Sequence, residues 1–136
     1  MKISIIDYGM GNIQSIINCF HSLNTNVAVI NEPSKLKNYS SYILPGVGAY
    51  PAAMKNLMLF KLLDPIKKEI LIKKKPILGI CLGMHLLTNS SEEISYEKGL
   101  NLIPGKIRAN YLNKHQIGWN KILINKKKSI FSNLNG

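Results

Sequence analysis

Two hydrophobic periods alternate along the chain. Apolar-rich runs of four or five residues fall at 2–6, 27–30, 41–44 and 77–80, the length and pattern of strands covered on both faces of a sheet. Helical spacing fills the intervals. Ile13, Ile16, Ile17, Phe20 and Leu23 recur at steps of three and four, which predicts a helix with one apolar face packed on that sheet. Met54, Leu57 and Met58 repeat the spacing, and Asp64-Pro65 reads as the cap and first turn of a further helix whose buried face runs through Ile66 and Ile70. Lys73, Lys74 and Lys75 suit the last turn of that helix, where positive charge complements the dipole, and Pro76 stops it. Strands alternating with helices predict an α/β domain with a doubly wound, mostly parallel sheet, whose ligands bind beyond the carboxyl ends of the strands.

The turns at those carboxyl ends carry the candidate chemistry. The first run ends in Asp7-Tyr8-Gly9-Met10-Gly11-Asn12, the third in Pro45-Gly46-Val47-Gly48 and the fourth in Gly79-Ile80-Cys81-Leu82-Gly83. Gly9 and Gly11 lack the third glycine and the later acidic residue of a dinucleotide fingerprint, so no nucleotide cofactor is expected there. Gly-x-Cys-x-Gly after an apolar strand has the form of a nucleophile elbow with cysteine in place of serine. Such a turn lifts the sulfur above the sheet edge and sets amides at a helix N-terminus, where a thiolate and an oxyanion both gain. The competing reading is an inert core cysteine. Beyond Ser90-Ser91-Glu92-Glu93 the pattern changes: Pro104-Gly105 marks a turn, and short strands are expected at 106–111 and 121–124, with His115, Gln116, Gly118, Trp119 and Asn120 between them.

Length and composition narrow the class. The 136 residues fit one domain spanning 1–136. Cys19 and Cys81 make no disulfide framework, as suits a reducing cytoplasm. No apolar run reaches spanning length and the first strand leaves no room for a leader, so a soluble cytoplasmic protein without a membrane partner is expected. The charge, 18 − 7 = +11, raises the question of nucleic acid. However, Arg108 is the only arginine, and the lysine runs at 73–75 and 126–128 have no interleaved aromatics to stack on bases. The lysines read as solvated surface, and no nucleic-acid partner, metal or cofactor is expected.

Five motifs in fixed order then carry a resemblance: Gly9-Met10-Gly11-Asn12, Pro45-Gly46-Val47-Gly48-Ala49-Tyr50, Gly79-Ile80-Cys81-Leu82-Gly83-Met84, Leu102-Ile103-Pro104-Gly105 and Gly118-Trp119-Asn120. Together they make the chain resemble the class I glutamine amidotransferases over essentially its whole length. Within that family it is most similar to the glutaminase subunits that serve a cyclase in histidine biosynthesis. The resemblance implies that Cys81 attacks the side-chain amide of L-glutamine, with an oxyanion hole from the backbone around Val47, Gly48 and Leu82. It implies substrate contacts at Gly46, Gly83 and His85. Asn12, Trp119 and Asn120 would face a TIM-barrel cyclase in a heterodimer that receives the ammonia, and no cofactor is required.

The chain also departs from the family pattern. The family's His-Pro-Glu segment is absent, and the three histidines are His21, His85 and His115. His85 stands where the family has glutamine, His115 where it has proline and Gln116 where it has histidine. The expectation is an amidotransferase domain with a sheet incomplete at the C-terminus, where Phe131 and Leu134 resemble the opening of another element, and with no efficient glutaminase activity. Two alternatives remain. One is an amidotransferase subunit that supplies ammonia to a surface-sugar or nucleotide-sugar synthase, and the other is a non-catalytic interaction protein retaining the cyclase-binding surface.

Overall fold

In the computed structural model, which describes residues 2–109 together with 118, 119 and 121, four short strands form one parallel sheet. They are β1 (Ile3–Ile6), β2 (Val27–Ile30), β3 (Ser41–Leu44) and β4 (Ile77–Gly79), in the order β2-β1-β3-β4. Parallel neighbours require crossover connections, and helices supply them: α1 (Ile13–Ser22) joins β1 to β2, while α2 (Tyr50–Leu59) and α3 (Leu63–Lys67) lie between β3 and β4. Helix α4 (Leu82–Leu86) follows β4. A 3₁₀ segment, Pro33–Asn38, bridges β2 and β3. A second sheet of two-residue strands, β5 (Ser90–Ser91), β6 (Glu97–Lys98) and β7 (Lys106–Ile107), pairs β5 antiparallel to β6 and parallel to β7.

The two faces of the main sheet are covered unequally. On one face Ile6, Ile30, Tyr42 and Leu44 join Tyr50, Ala53, Leu57 and Leu82 in a closed core. On the other face Val29, Ile5, Ile43 and Leu78 stand in register across all four strands. Ile5 and Ile43, in the middle, are buried, whereas Val29 and Leu78 at the ends are 43% and 47% exposed. This corrects the expectation that the second and fourth runs are covered on both faces. Both are edge strands among the described residues, and Ile80 is also 38% exposed. Helix α1 lies against β2 with Ile13, Ile16, Ile17 and Phe20 only half-buried, and Leu23, placed on its packed face by spacing, is exposed.

Other boundaries differ for local reasons. Asp64 is not a cap: α3 begins at Leu63 with Leu62 at its N-cap, which leaves Asp64 in the first turn. Met58, expected on the apolar face of α2, is exposed. The helix after Pro65 does not run regularly to the lysines but passes into a π-helical turn, Lys68–Ile72. Lys73 caps that turn and Lys74 has φ 56. Lys75 is not a solvated end charge. Its ammonium pairs with buried Glu69 and also donates to the Tyr42 hydroxyl and the Lys37 carbonyl, each at 3.2 Å. The strand expected at 106–111 is seen as Lys106–Ile107. Tyr111, His115, Gln116, Asn120, Phe131, Leu134, the strand at 121–124 and the lysines at 126–128 lie outside the described residues. Among the described residues no helix is long and apolar enough to cross a membrane.

Candidate active site

Where β4 ends, the backbone turns sharply. Cys81 sits at φ 54, ψ −123, a region that a side-chain-bearing residue occupies only under constraint. The constraint is visible on both sides of it. Ile80 N–H donates to the Leu44 carbonyl at 3.0 Å, which continues the pairing with β3, and Gly83 N–H turns back onto the Ile80 carbonyl at 3.0 Å. Both glycines of the elbow are demanded by close backbone approach. A Cβ on Gly79 would lie 2.5 Å from Met84 Cα, and one on Gly83 would lie 1.8 Å from the Leu44 carbonyl oxygen. Helix α4 therefore packs directly on β3, and the turn between β4 and α4 has no slack. Cys81 is left exposed at its apex, so the inert core reading does not hold.

The loop after β3 lies against this elbow. A Cβ on Gly46 would be 2.7 Å from Gly83 N, 2.8 Å from the Tyr8 hydroxyl and 2.9 Å from Leu82 Cβ, so Gly46 is clamped between the first turn of the chain and the start of α4. Gly48 takes φ +99, in the region that favours glycine, and Val47 is exposed. Among the described residues nothing accepts from the backbone N–H groups of Val47, Gly48 or Leu82, whereas those of Gly83 and Met84 are taken by the Ile80 and Cys81 carbonyls. The Leu82 side chain itself is buried in the core, so any part it plays at the rim comes from its amide. The ends of β1, β3 and β4 thus share one edge, and strand order reverses between β1 and β3. Crevices at such a point are where open α/β sheets bind ligands.

Tyr8 escaped the sequence reading. Its ring is buried, and its hydroxyl donates to the Pro45 carbonyl at 2.8 Å. Burial pushes its pKa well above the usual phenol range, and the neighbouring Cys81 pushes it further in the same direction. The motif that contains it drew notice for its glycines and Asn12, and nothing in Asp7-Tyr8-Gly9 says which way the ring turns.

The other expected site residues are placed as follows. His85 lies one turn into α4, half-buried. Asn12 is exposed, but its side chain caps α1 by accepting from Ser15 N–H at 3.2 Å, a local role the sequence reading did not assign. Trp119 is fully exposed. Asn120 lies outside the described residues. Two hollows lie elsewhere among the described residues: one of about 700 Å³ borders Met54, Tyr96 and Gly99, and one of about 680 Å³ lies between the 3₁₀ segment and the π-helical turn. Neither borders Cys81, whose position is marked by the backbone geometry of the elbow. No cluster of three metal-ligating side chains occurs among the described residues.

Comparison with known proteins identifies the family and the fold. Residues 4–136 match the family described as Glutamine amidotransferase class-I. The chain is 45% identical to the "Imidazole glycerol phosphate synthase subunit HisH 2" of Vibrio vulnificus, covering 98% of this chain and 65% of that protein. It is 43% identical to the protein of the same name from Methanococcus maripaludis, covering 97% and 67%, and 42% identical to "Imidazole glycerol phosphate synthase subunit HisH" of Sulfurimonas denitrificans, covering 97% and 66%. It thus spans about two thirds of the length of the curated relatives it matches. A solved structure described as "Crystal structure of glutamine amidotransferase" superposes with a TM-score of 0.69 at 14% identity, covering 82% of this chain and 58% of the other, which shows a shared fold. The chain belongs to the class-I glutamine amidotransferase family, as its five ordered motifs implied.

Proposed function

We propose that the chain is the glutamine-hydrolysing subunit of imidazole glycerol phosphate synthase and supplies ammonia to a cyclase subunit in histidine biosynthesis. The observation that carries this is the exposed Cys81 held at a strained elbow beside amides that no described group occupies. The names of the relatives point to this synthase rather than to a sugar-modifying enzyme. An amide carbon is a poor electrophile, so the attacking sulfur has to be a thiolate and the new oxyanion has to meet donors already in place. In this reading the Cys81 thiolate adds to the side-chain carbonyl carbon of L-glutamine, and the N–H groups of Val47, Gly48 and Leu82 receive the oxyanion. Each such donor is worth about 3 kcal/mol of barrier. Collapse of the adduct, with a proton delivered to nitrogen, releases ammonia and leaves a γ-glutamyl thioester. Water then cleaves the thioester to glutamate and the free thiol. Gly46, Gly83 and His85 line the glutamine side in this scheme, while Asn12, Trp119 and Asn120 face the cyclase. A reducing cytoplasm keeps Cys81 free for this work.

The 136 residues contain no His-Pro-Glu segment. A protein made of these 136 residues alone is expected to take up a glutamine-like electrophile readily but to release ammonia slowly, because the leaving nitrogen would find no such proton donor within them. The test compares Cys81 with Cys19, which is also exposed. A chloroketone analogue of L-glutamine should label Cys81 selectively, with protection by L-glutamine. Equal, unprotected labelling of both thiols would refute the assignment.

A further inference from the structure

Tyr8 joins two loops at the reversal of strand order, and what it grips belongs to the loop assigned to the oxyanion. Its hydroxyl reaches from the end of β1 to the Pro45 carbonyl at the end of β3. Tyr8 is itself held from behind, because the Asn56 amide of α2 donates to its carbonyl at 3.1 Å. The Gly9 N–H is taken by Asp7 Oδ1 at 2.9 Å, and a Cβ on Gly11 would come within 2.9 Å of Pro45 Cγ. The grip is therefore rigid at the β1 end. At the other end the loop contains two glycines, one of them Gly48 at φ +99, so beyond the clamped Gly46 its backbone has little side-chain restraint of its own.

We propose that Tyr8 is a positioning residue for the oxyanion loop: by holding the Pro45 carbonyl it fixes the peptide plane that joins Pro45 to Gly46, and with it the direction of the amides that follow at Val47 and Gly48. The inference rests on the reading of Cys81 as the nucleophile toward a glutamine amide. Two further features fit the role. The hydroxyl fills the space that a side chain on Gly46 would need, so it supports that residue by contact as well as through the carbonyl. Burial and the nearby Cys81 also keep the phenol protonated, so it remains a donor when the sulfur is charged.

The test separates two reactions at the same sulfur. A chloroketone analogue of L-glutamine passes through an alkoxide when the thiolate adds to its carbonyl, whereas iodoacetamide is attacked by simple displacement of iodide and develops no oxyanion. For the wild-type chain, labelling of Cys81 by the chloroketone is expected to saturate and to be blocked by L-glutamine. Tyr8→Phe removes only the hydroxyl. It should lower the limiting labelling rate about ten- to a hundredfold, the effect of a small misplacement at a reacting centre. The half-saturating concentration and the iodoacetamide rate should stay within about twofold of wild type. An unchanged limiting rate overturns the proposal and leaves the reading of Cys81 standing. A parallel loss with iodoacetamide also overturns it, since that marks a general structural role. Labelling of the wild type that neither saturates nor yields to L-glutamine removes the glutamine reading and this proposal together. Should Tyr8→Phe fail to fold by circular dichroism, Asn56→Ala, which frees Tyr8 from behind, carries the same comparison. It should show the same selective loss, and no loss there would be equally decisive against the proposal.

Discussion

Replacing Cys81 by glycine should make the protein more stable while removing its sulfur. At φ 54, ψ −123 a residue with a Cβ is strained, and strain of this kind costs about 1–3 kcal/mol. Glycine adopts the same angles without that cost but has more freedom to lose from the unfolded chain, which offsets about 0.4–1 kcal/mol. Little packing is forfeited, because Cys81 is exposed. The net gain is about 0.5–2 kcal/mol, which for a chain of this length corresponds to a rise in Tm of roughly 2–8 °C. Cys81→Ala serves as the control, since alanine keeps the Cβ and the strain and should unfold within about 0.5 kcal/mol of wild type. The measurement is urea and thermal unfolding of the three proteins under reducing conditions. A glycine variant no more stable than the alanine variant would show that the elbow stores no strain at this position, and the account of why the sulfur is perched there would fail.

Two further outcomes follow from the packing. Gly83→Ala puts a methyl group into the Leu44 carbonyl, with backbone on both sides of the contact, so α4 has to leave β3. A loss of about 3 kcal/mol or more is expected by urea unfolding, and a loss below about 1 kcal/mol would refute the close approach. Glu69→Gln breaks the pair with Lys75 at the start of β3 and should cost about 2–4 kcal/mol at neutral pH. The hydrogen bond from Lys75 holds the Glu69 carboxyl below its ordinary value of 4.5, so the stabilisation is complete above that value and is lost as pH falls toward the lower folded value. The wild type should therefore lose stability through that acid range while the Gln variant shows a flatter acid limb. Parallel acid limbs in the two proteins would contradict the pairing.

The elbow was legible because its signal is local. Gly-x-Cys-x-Gly after an apolar strand announces a tight turn, and the turn is there. What each glycine is for was not legible, since the atoms that exclude a side chain at Gly83 belong to Leu44, far away in sequence. The three lysines before Pro76 look equivalent in sequence. Only folding brings Glu69, Tyr42 and Lys37 around Lys75 and separates it from its neighbours. Tyr8 shows the same limit at the site: a tyrosine in a glycine-bearing turn gives no hint that its hydroxyl reaches the end of another strand.

By itself, then, the order of residues determined the alternation of strands and helices, the parallel sheet and the exposed elbow that holds Cys81 at the end of a strand. These follow from periods and turn preferences that act over a few neighbouring residues. Tertiary structure decided which apolar rows are covered, so that Val29 and Leu78 stay open while Ile5 and Ile43 between them do not. It also decided which backbone amides near the elbow are left without an acceptor among the described residues, and that the Tyr8 hydroxyl reaches the Pro45 carbonyl. Burial and hydrogen bonding are sums over partners remote in sequence, and a residue's share of them is settled only when the strands have taken their order.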